Sequence, residues 1–185
     1  EPQHKLLADT EYQAKWEGVY AAGKGEGANP ATGRTAETYR ILNMSITRTG
    51  NISCGLFAKI GEKGTVRNLC IENPVVKAKY KAGTIAGETS GHIVNCSNQA
   101  SAGSMIYGDS GDNLSYAYVG GITGNMTGGK IEYCRNYCVI NGKSGALGGI
   151  AGRVQILLEQ YPEIAYCSNF ATVNTDTKTP VGGIV

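Results

Sequence analysis

A short glycine signature recurs along this chain, and few folds accommodate it. It reads Gly-x-apolar-small, usually closed by a further Gly. It occurs as Gly55-Leu56-Phe57-Ala58 and as Gly83-Thr84-Ile85-Ala86-Gly87. It returns as Gly121-Ile122-Thr123-Gly124 and Gly149-Ile150-Ala151-Gly152, each preceded by another Gly, and last at Gly182-Gly183-Ile184. Gly55, Gly83, Gly121, Gly149 and Gly183 stand 28, 38, 28 and 34 residues apart. Self-similarity at such periods marks solenoids, propellers and repeat arrays.

A second signature lies between these. It reads Ile41-Leu42-Asn43-Met44-Ser45-Ile46, then Val66-Arg67-Asn68-Leu69-Cys70-Ile71, then Ile93-Val94-Asn95-Cys96-Ser97-Asn98. It continues as Ile131-Glu132-Tyr133-Cys134-Arg135-Asn136 and Ile164-Ala165-Tyr166-Cys167-Ser168-Asn169. Alignment puts Ile41, Val66, Ile93, Ile131 and Ile164 in one column. Met44, Leu69, Cys96, Cys134 and Cys167 form a second, and Val75, Ala102, Ile140 and Val173 a weaker third.

Each piece has strand length, is rich in Ile and Val, and is bounded by Gly, Asn or Ser. A repeat of about 27 residues accommodates three short strands and three turns. One such unit buries too little to offset the entropy of ordering it. Stacked units hydrogen-bond to their neighbours and share an interior made from the same positions each time. The doubled glycines suggest bends with φ > 0. Asn suits the same bends, and Asn98, Asn136 and Asn169 are placed to form a hydrogen-bonded ladder. The expected fold is all-β: a right-handed parallel β-helix-like solenoid of about five coils, roughly 25 Å tall. An ordinary β-sandwich with chance similarity is the alternative.

Composition is consistent with this. Apolar residues are 41% of 185, enough for a core, and the 27 glycines show no collagen period. Net charge is +2 without a basic cluster, which argues against nucleic acid as a partner. No apolar run is long enough for a membrane-spanning helix. The opening residue and the unfinished last repeat suggest a piece of a longer, monomeric chain.

These residues resemble the GLUG repeats of bacterial surface proteins. The likeness rests on Gly-Leu-x-Ala at Gly55, Gly-Gly-Ile-Ala-Gly at Gly148 and the Ile-x-x-Cys-x-Asn that follows, over residues 39–185. His4-Lys5-Leu6-Leu7-Ala8-Asp9 and Trp16 are similar to the lead-in of such repeats, although Thr35-Ala36-Glu37-Thr38 replaces the family's Gly-x-Phe-Asp-Gly-Asn-Gly. The resemblance implies export, a cell-surface or outer-membrane location and a non-catalytic role. Such repeats occur in adhesin-like proteins, many from gut Bacteroidetes, and in the non-catalytic part of IgA-specific metallopeptidases. Residues 1–38, with a Gly-rich loop from Gly23 to Gly33, are expected to be an irregular lead-in that caps the stack.

Two repeats carry inserts, and inserts on one face of a solenoid often bind. The first runs from Gly103 to Val119 and places Tyr107, Tyr116 and Tyr118 beside Asp109, Asp112 and Asn113. Rings that stack, next to groups that orient hydroxyls, suit a glycan or a host or bacterial surface protein. An extended hairpin packed on the coil below is the structural alternative. The second insert runs from Arg153 to Glu163. Val154, Leu157 and Leu158 have helical spacing there and Pro162 would end a helix, so a short helix or a bulging loop is expected.

No catalytic constellation is legible. Gly108-Asp109-Ser110-Gly111 imitates a serine-protease nucleophile segment, but Asp112 follows where Gly belongs and only His4 and His92 could serve as bases. There is no His-Glu-x-x-His, and two histidines without Cys-x-x-Cys do not make a zinc site. Asp109 to Asn113 lacks the closing Glu of a calcium loop. Neither a metal nor another cofactor is expected. Glu62, Glu72, Glu88, Glu132 and Glu163 fall in different columns, so the paired carboxylates of a carbohydrate-active β-helix do not emerge. The cysteine column reads as small apolar filler; all six thiols are expected reduced, with a pair among Cys54, Cys70 and Cys138 as the exception. The expected function is non-catalytic adhesion or spacing, with a polysaccharide lyase or hydrolase, or a bare stalk, as alternatives.

Overall fold

The computed structural model describes residues 39–111, 117–143, 145–157, 160–175 and 178–185. The proposed cap at residues 1–38 lies outside them, as do Asp112, Asn113, Tyr116 and Leu158. Every regular element among the described residues is a short β-strand, and every strand pairing between sheet neighbours is parallel. The chain is a β-solenoid.

Each coil has five sides rather than three. The first sheet stacks Tyr39–Leu42, Leu69–Glu72, Ser97–Gln99, Arg135–Asn136 and Ser168–Asn169. The second stacks Ser45–Arg48, Val75–Ala78, Met105–Gly108, Ile140–Gly142 and Val173–Thr175. The third holds Lys81–Ala82, Tyr118–Gly120, Ala146–Gly148 and Val181–Gly182, with Cys54 bridged to Ala82 above them. Phe57–Ile60, Ala86–Thr89, Thr123–Met126 and Ala151–Val154 make the fourth. Thr65–Arg67, His92–Val94, Lys130–Glu132 and Glu163–Ala165 make the fifth. Four turns are closed, and the strands from Ser168 to Gly182 begin another, so the five expected coils are about four. Strands of two to four residues fit more corners into the same repeat length.

The interior is built from the expected columns, with corrections. Val66, Ile93, Ile131 and Ile164 stack in register on the fifth sheet, and Ile93 and Ile131 are fully buried. Ile41 does not join them: it pairs with Ile71 on the first sheet. Met44 likewise leaves the cysteine column, where Tyr39 is instead in register with Leu69. The third column is Ile46, Val76, Ile106, Ile140 and Val173, not one containing Val75 or Ala102. The reason is backbone conformation. Asn68, Asn95, Tyr133 and Tyr166 hold φ of 53°, 50°, 55° and 54° at the corner between the fifth and first sheets. Asn43 and Asn73 hold 57° and 54° at the next corner, between the first and second. Ile-x-Asn therefore writes the same left-handed bend at two different corners.

The glycine signature marks a third corner, between the third and fourth sheets. Ile85, Ile122 and Ile150 there point into the core with no exposed surface. A Cβ on Gly124 would lie 2.5 Å from the Ala82 amide nitrogen and 2.7 Å from the Tyr118 carbonyl oxygen. One on Gly152 would lie 2.3 Å from the Val119 amide nitrogen. The small residues let two backbones press together where the coil doubles back. They do not supply the φ > 0 expected of the doubled glycines; among the described residues the left-handed glycines are Gly103, Gly111, Gly129 and Gly145.

Polar ladders complete the stack. Asn98 Nδ2 donates to Asn136 Oδ1 at 2.7 Å, and Asn136 Nδ2 to Asn169 Oδ1 at 2.8 Å, so the expected ladder forms. Asn98 and Asn136 are wholly buried, and their amides also bond Gly121 O and Cys138 O. All six cysteines are unpaired thiols. In the column, Cys96, Cys134 and Cys167 place Sγ within 3.7 Å of a carbonyl one coil back, those of Val66, Ile93 and Ile131. Burial drives the Cys134 thiol well above its ordinary range and pushes Cys138 up to about 12.

The described residues of the second insert form a loop and contain no helix. Val154 ends a fourth-sheet strand, and Leu157 and Gln160 form an isolated antiparallel bridge. The Gln160 amide covers Gly128 and donates to the Glu62 carboxylate of the first turn, which straps distant coils together. Ile156 and Tyr161 stay exposed.

Candidate functional site

The described parts of the first insert include regular strands of the stack. Met105–Gly108 is a regular member of the second sheet, and Tyr118–Gly120 of the third. The excess length sits mainly in the corner between them. Alternation on the second sheet turns Ile106 into the core and leaves Tyr107 half-buried on the outer face. Tyr107 is in register with Lys77 and with Asn141, which in turn is in register with Asn174.

These residues make a cleft of about 270 Å³ lined by Tyr107, Asn141, Gly142, Lys143, Asn174 and Thr175. It spans three successive coils, or about 10 Å along the stack at the usual strand spacing. One wall is the tyrosine, held by its hydroxyl donating to Asp109 Oδ2 at 2.9 Å. Asp109 Oδ1 accepts the Gly111 amide at 2.9 Å, and Lys143 Nζ lies 4.0 Å from Oδ2. Both Asp109 oxygens are engaged inside the corner, which orients the ring. The floor and far wall are a second amide ladder, with Asn174 Nδ2 donating to Asn141 Oδ1 at 3.1 Å. That bond leaves a donor on Asn141 and an acceptor on Asn174, both residues of the lining.

Of the residues singled out in the sequence, Tyr107 and Asp109 meet here, while Asp112, Asn113 and Tyr116 fall outside the described residues. Tyr118 belongs to the third sheet, where Arg153 stacks on its ring at 4.8 Å and donates to its hydroxyl at 2.9 Å. The column reading missed Asn141, Lys143, Asn174 and Thr175. A signal existed: Ile140-Asn141-Gly142 and Val173-Asn174-Thr175 repeat the pattern apolar-Asn-small just after the third column.

Two charged clusters lie elsewhere. Lys130 bridges Glu132 at 3.5 Å and Glu163 at 3.1 Å, so two carboxylates kept apart by the alignment share one ammonium on the fifth sheet. On the fourth sheet Glu88 pairs with Lys59 at 3.0 Å and with Lys81. Burial alone pushes the Glu88 carboxyl up, but hydrogen bonds and charge from Lys81 and Lys59 outweigh it and hold the group below the usual range. Ser110 is buried at the insert corner and His92 is exposed on the fifth sheet, so the protease-like segment has no histidine from that strand beside it. No group of three or more His, Cys, Asp or Glu among the described residues is arranged to hold a metal, and none of their segments is a helix long and apolar enough to cross a membrane.

Comparison with known proteins finds one relative of note. The chain is 27% identical over 134 residues to halomucin of Haloquadratum walsbyi, covering 68% of this chain and 1% of that protein. The chain thus corresponds to a small part of a very long relative. No family model and no solved structure matches it. The likeness and the β-solenoid are compatible with a structural or surface repeat domain and with an extracellular location.

Proposed function

We propose that this domain is a non-catalytic, GLUG-type surface or secreted repeat that spaces and presents binding groups on the outside of a rigid stack. The observation that carries this is the division of labour between faces. Inward positions repeat one chemistry from coil to coil, as in Val66, Ile93, Ile131 and Ile164. On the second sheet the inward column is likewise uniform, as Ile46, Val76, Ile106, Ile140 and Val173, while the outward positions of those strands vary over most of the stack, from Thr47 to Lys77, Tyr107 and Asn141, with Asn repeated at 174. A fixed interior with a freely varied exterior is the behaviour of a scaffold. The similarity to halomucin supports the surface placement.

The test is surface labelling combined with a turnover assay. Intact producing cells, or their medium, should expose the domain to antibody and to added protease. The purified chain incubated with a panel of polysaccharides should release no reducing ends and form no unsaturated product. Release that disappears in Glu132→Gln or Glu163→Gln would establish an enzyme instead, with the pair around Lys130 as its centre. A domain shielded from both reagents in intact cells and absent from the medium would refute the surface location.

A further inference from the structure

We infer that the cleft of Tyr107, Asn141 and Asn174 is a subsite for one ring of a neutral glycan chain running along the stack. This rests on the outward-display reading and names the ligand class for it.

The cleft supplies three things that a pyranose requires. The first is a fixed aromatic platform. Tyr107 is tethered by the Asp109 carboxylate at 2.9 Å, and its strand is hydrogen-bonded on both sides, to Val75–Ala78 and to Ile140–Gly142. A ring with so little freedom loses little entropy when the apolar face of a sugar stacks on it. The second is a matched donor and acceptor. The Asn174-to-Asn141 bond at 3.1 Å uses one donor and one acceptor of the pair. The remaining Asn141 Nδ2 and Asn174 Oδ1 sit one coil apart and can address two hydroxyls of one ring. The third is size. About 270 Å³ suits a single sugar, not a folded protein surface, and Tyr107, Asn141 and Asn174 follow one another in register along the stack.

Charge plays the smaller part. Among the described lining residues the ammonium is that of Lys143, and it lies 4.0 Å from the Asp109 carboxylate, so opposite charges accompany each other at the site. This favours neutral over uronate-bearing polymers.

The experiment is a binding titration of the whole chain with cello-, xylo-, manno- and chito-oligosaccharides, and with oligogalacturonides as the acidic arm. At least one neutral series should bind. Tyr107→Ala should weaken it about tenfold, and Tyr107→Phe, which keeps the ring, should weaken it less. Asn174→Ala removes only an exposed amide and should weaken binding about fivefold with unchanged circular dichroism. It keeps the test decisive should Tyr107→Ala fold poorly. Absence of binding by every neutral series would overturn the inference. So would binding indifferent to both Tyr107→Ala and Asn174→Ala, or binding confined to oligogalacturonides and abolished by salt. A domain that is labelled on cells yet ignores all these sugars sinks the glycan subsite and leaves surface display standing.

Discussion

Two of the asparagine ladders that run along this solenoid do opposite things. Asn98, Asn136 and Asn169 turn inward on the first sheet, where Asn98 and Asn136 have no exposed surface and bond to each other and to backbone carbonyls. Asn141 and Asn174 turn outward on the second sheet and leave part of their capacity unused. Residue type is alike in both, and burial is what separates them. A buried amide must find all its partners inside the protein, whereas an exposed one can hold some in reserve for a ligand.

The sharpest way to break the comparison is Asn136→Ala. It strips partners from Asn98, Cys138 and Asn169 in a dry site, and should destabilise the fold by about 3 kcal/mol, read from the denaturation midpoint. A loss no larger than for an exposed amide would mean that the inner ladder is incidental. Next is Gly124→Ala, whose new methyl meets backbone from Ala82, Tyr118 and Gly87 and has no side chain to displace. A loss of about 2 kcal/mol is expected by the same measurement. An unchanged midpoint would show that the corner between the third and fourth sheets can open.

Acidity gives a smaller effect on the outer wall. Because the folded Glu88 carboxyl is held below its ordinary value of 4.5, its contribution is fully present above that pH and is lost as pH falls through the depressed folded value. Stability measured from neutral pH downward should therefore decline at the acid end, and Glu88→Gln should flatten that part of the curve. An identical slope in the variant would remove the Lys59–Glu88–Lys81 cluster from the account. The smallest effect is Asn174→Ala on stability, about 0.5 kcal/mol or less, since water replaces the lost exposed bond. A cost approaching that of Asn136→Ala would show the outer ladder to be structural, and would weaken its case as a sugar contact.

Much of the fold was legible because a solenoid writes its long-range contacts as local periodicity. Ile93, Ile131 and Ile164, the cysteines from Cys96 to Cys167 and the inner asparagines could be aligned by eye, and they do stack. The candidate site was only half legible. Tyr107 and Asp109 stand two residues apart in the chain, but Asn141 and Asn174 arrive from the two following coils. The insert that drew attention to Tyr107 hid the regular strand Met105–Gly108 within it.

Taken alone, the sequence determined that the chain is all-β, that it repeats and which residue types fill the interior. It did so because strand length, apolar spacing and left-handed Asn bends are local properties. Only the tertiary structure decided how many sides a coil has, which corner each Ile-x-Asn occupies and what meets across coils at the cleft. Ile41 illustrates the reason. Its bend is the same whether it precedes the first sheet or follows it, and only hydrogen bonding to Ile71 in the next coil selects between the two.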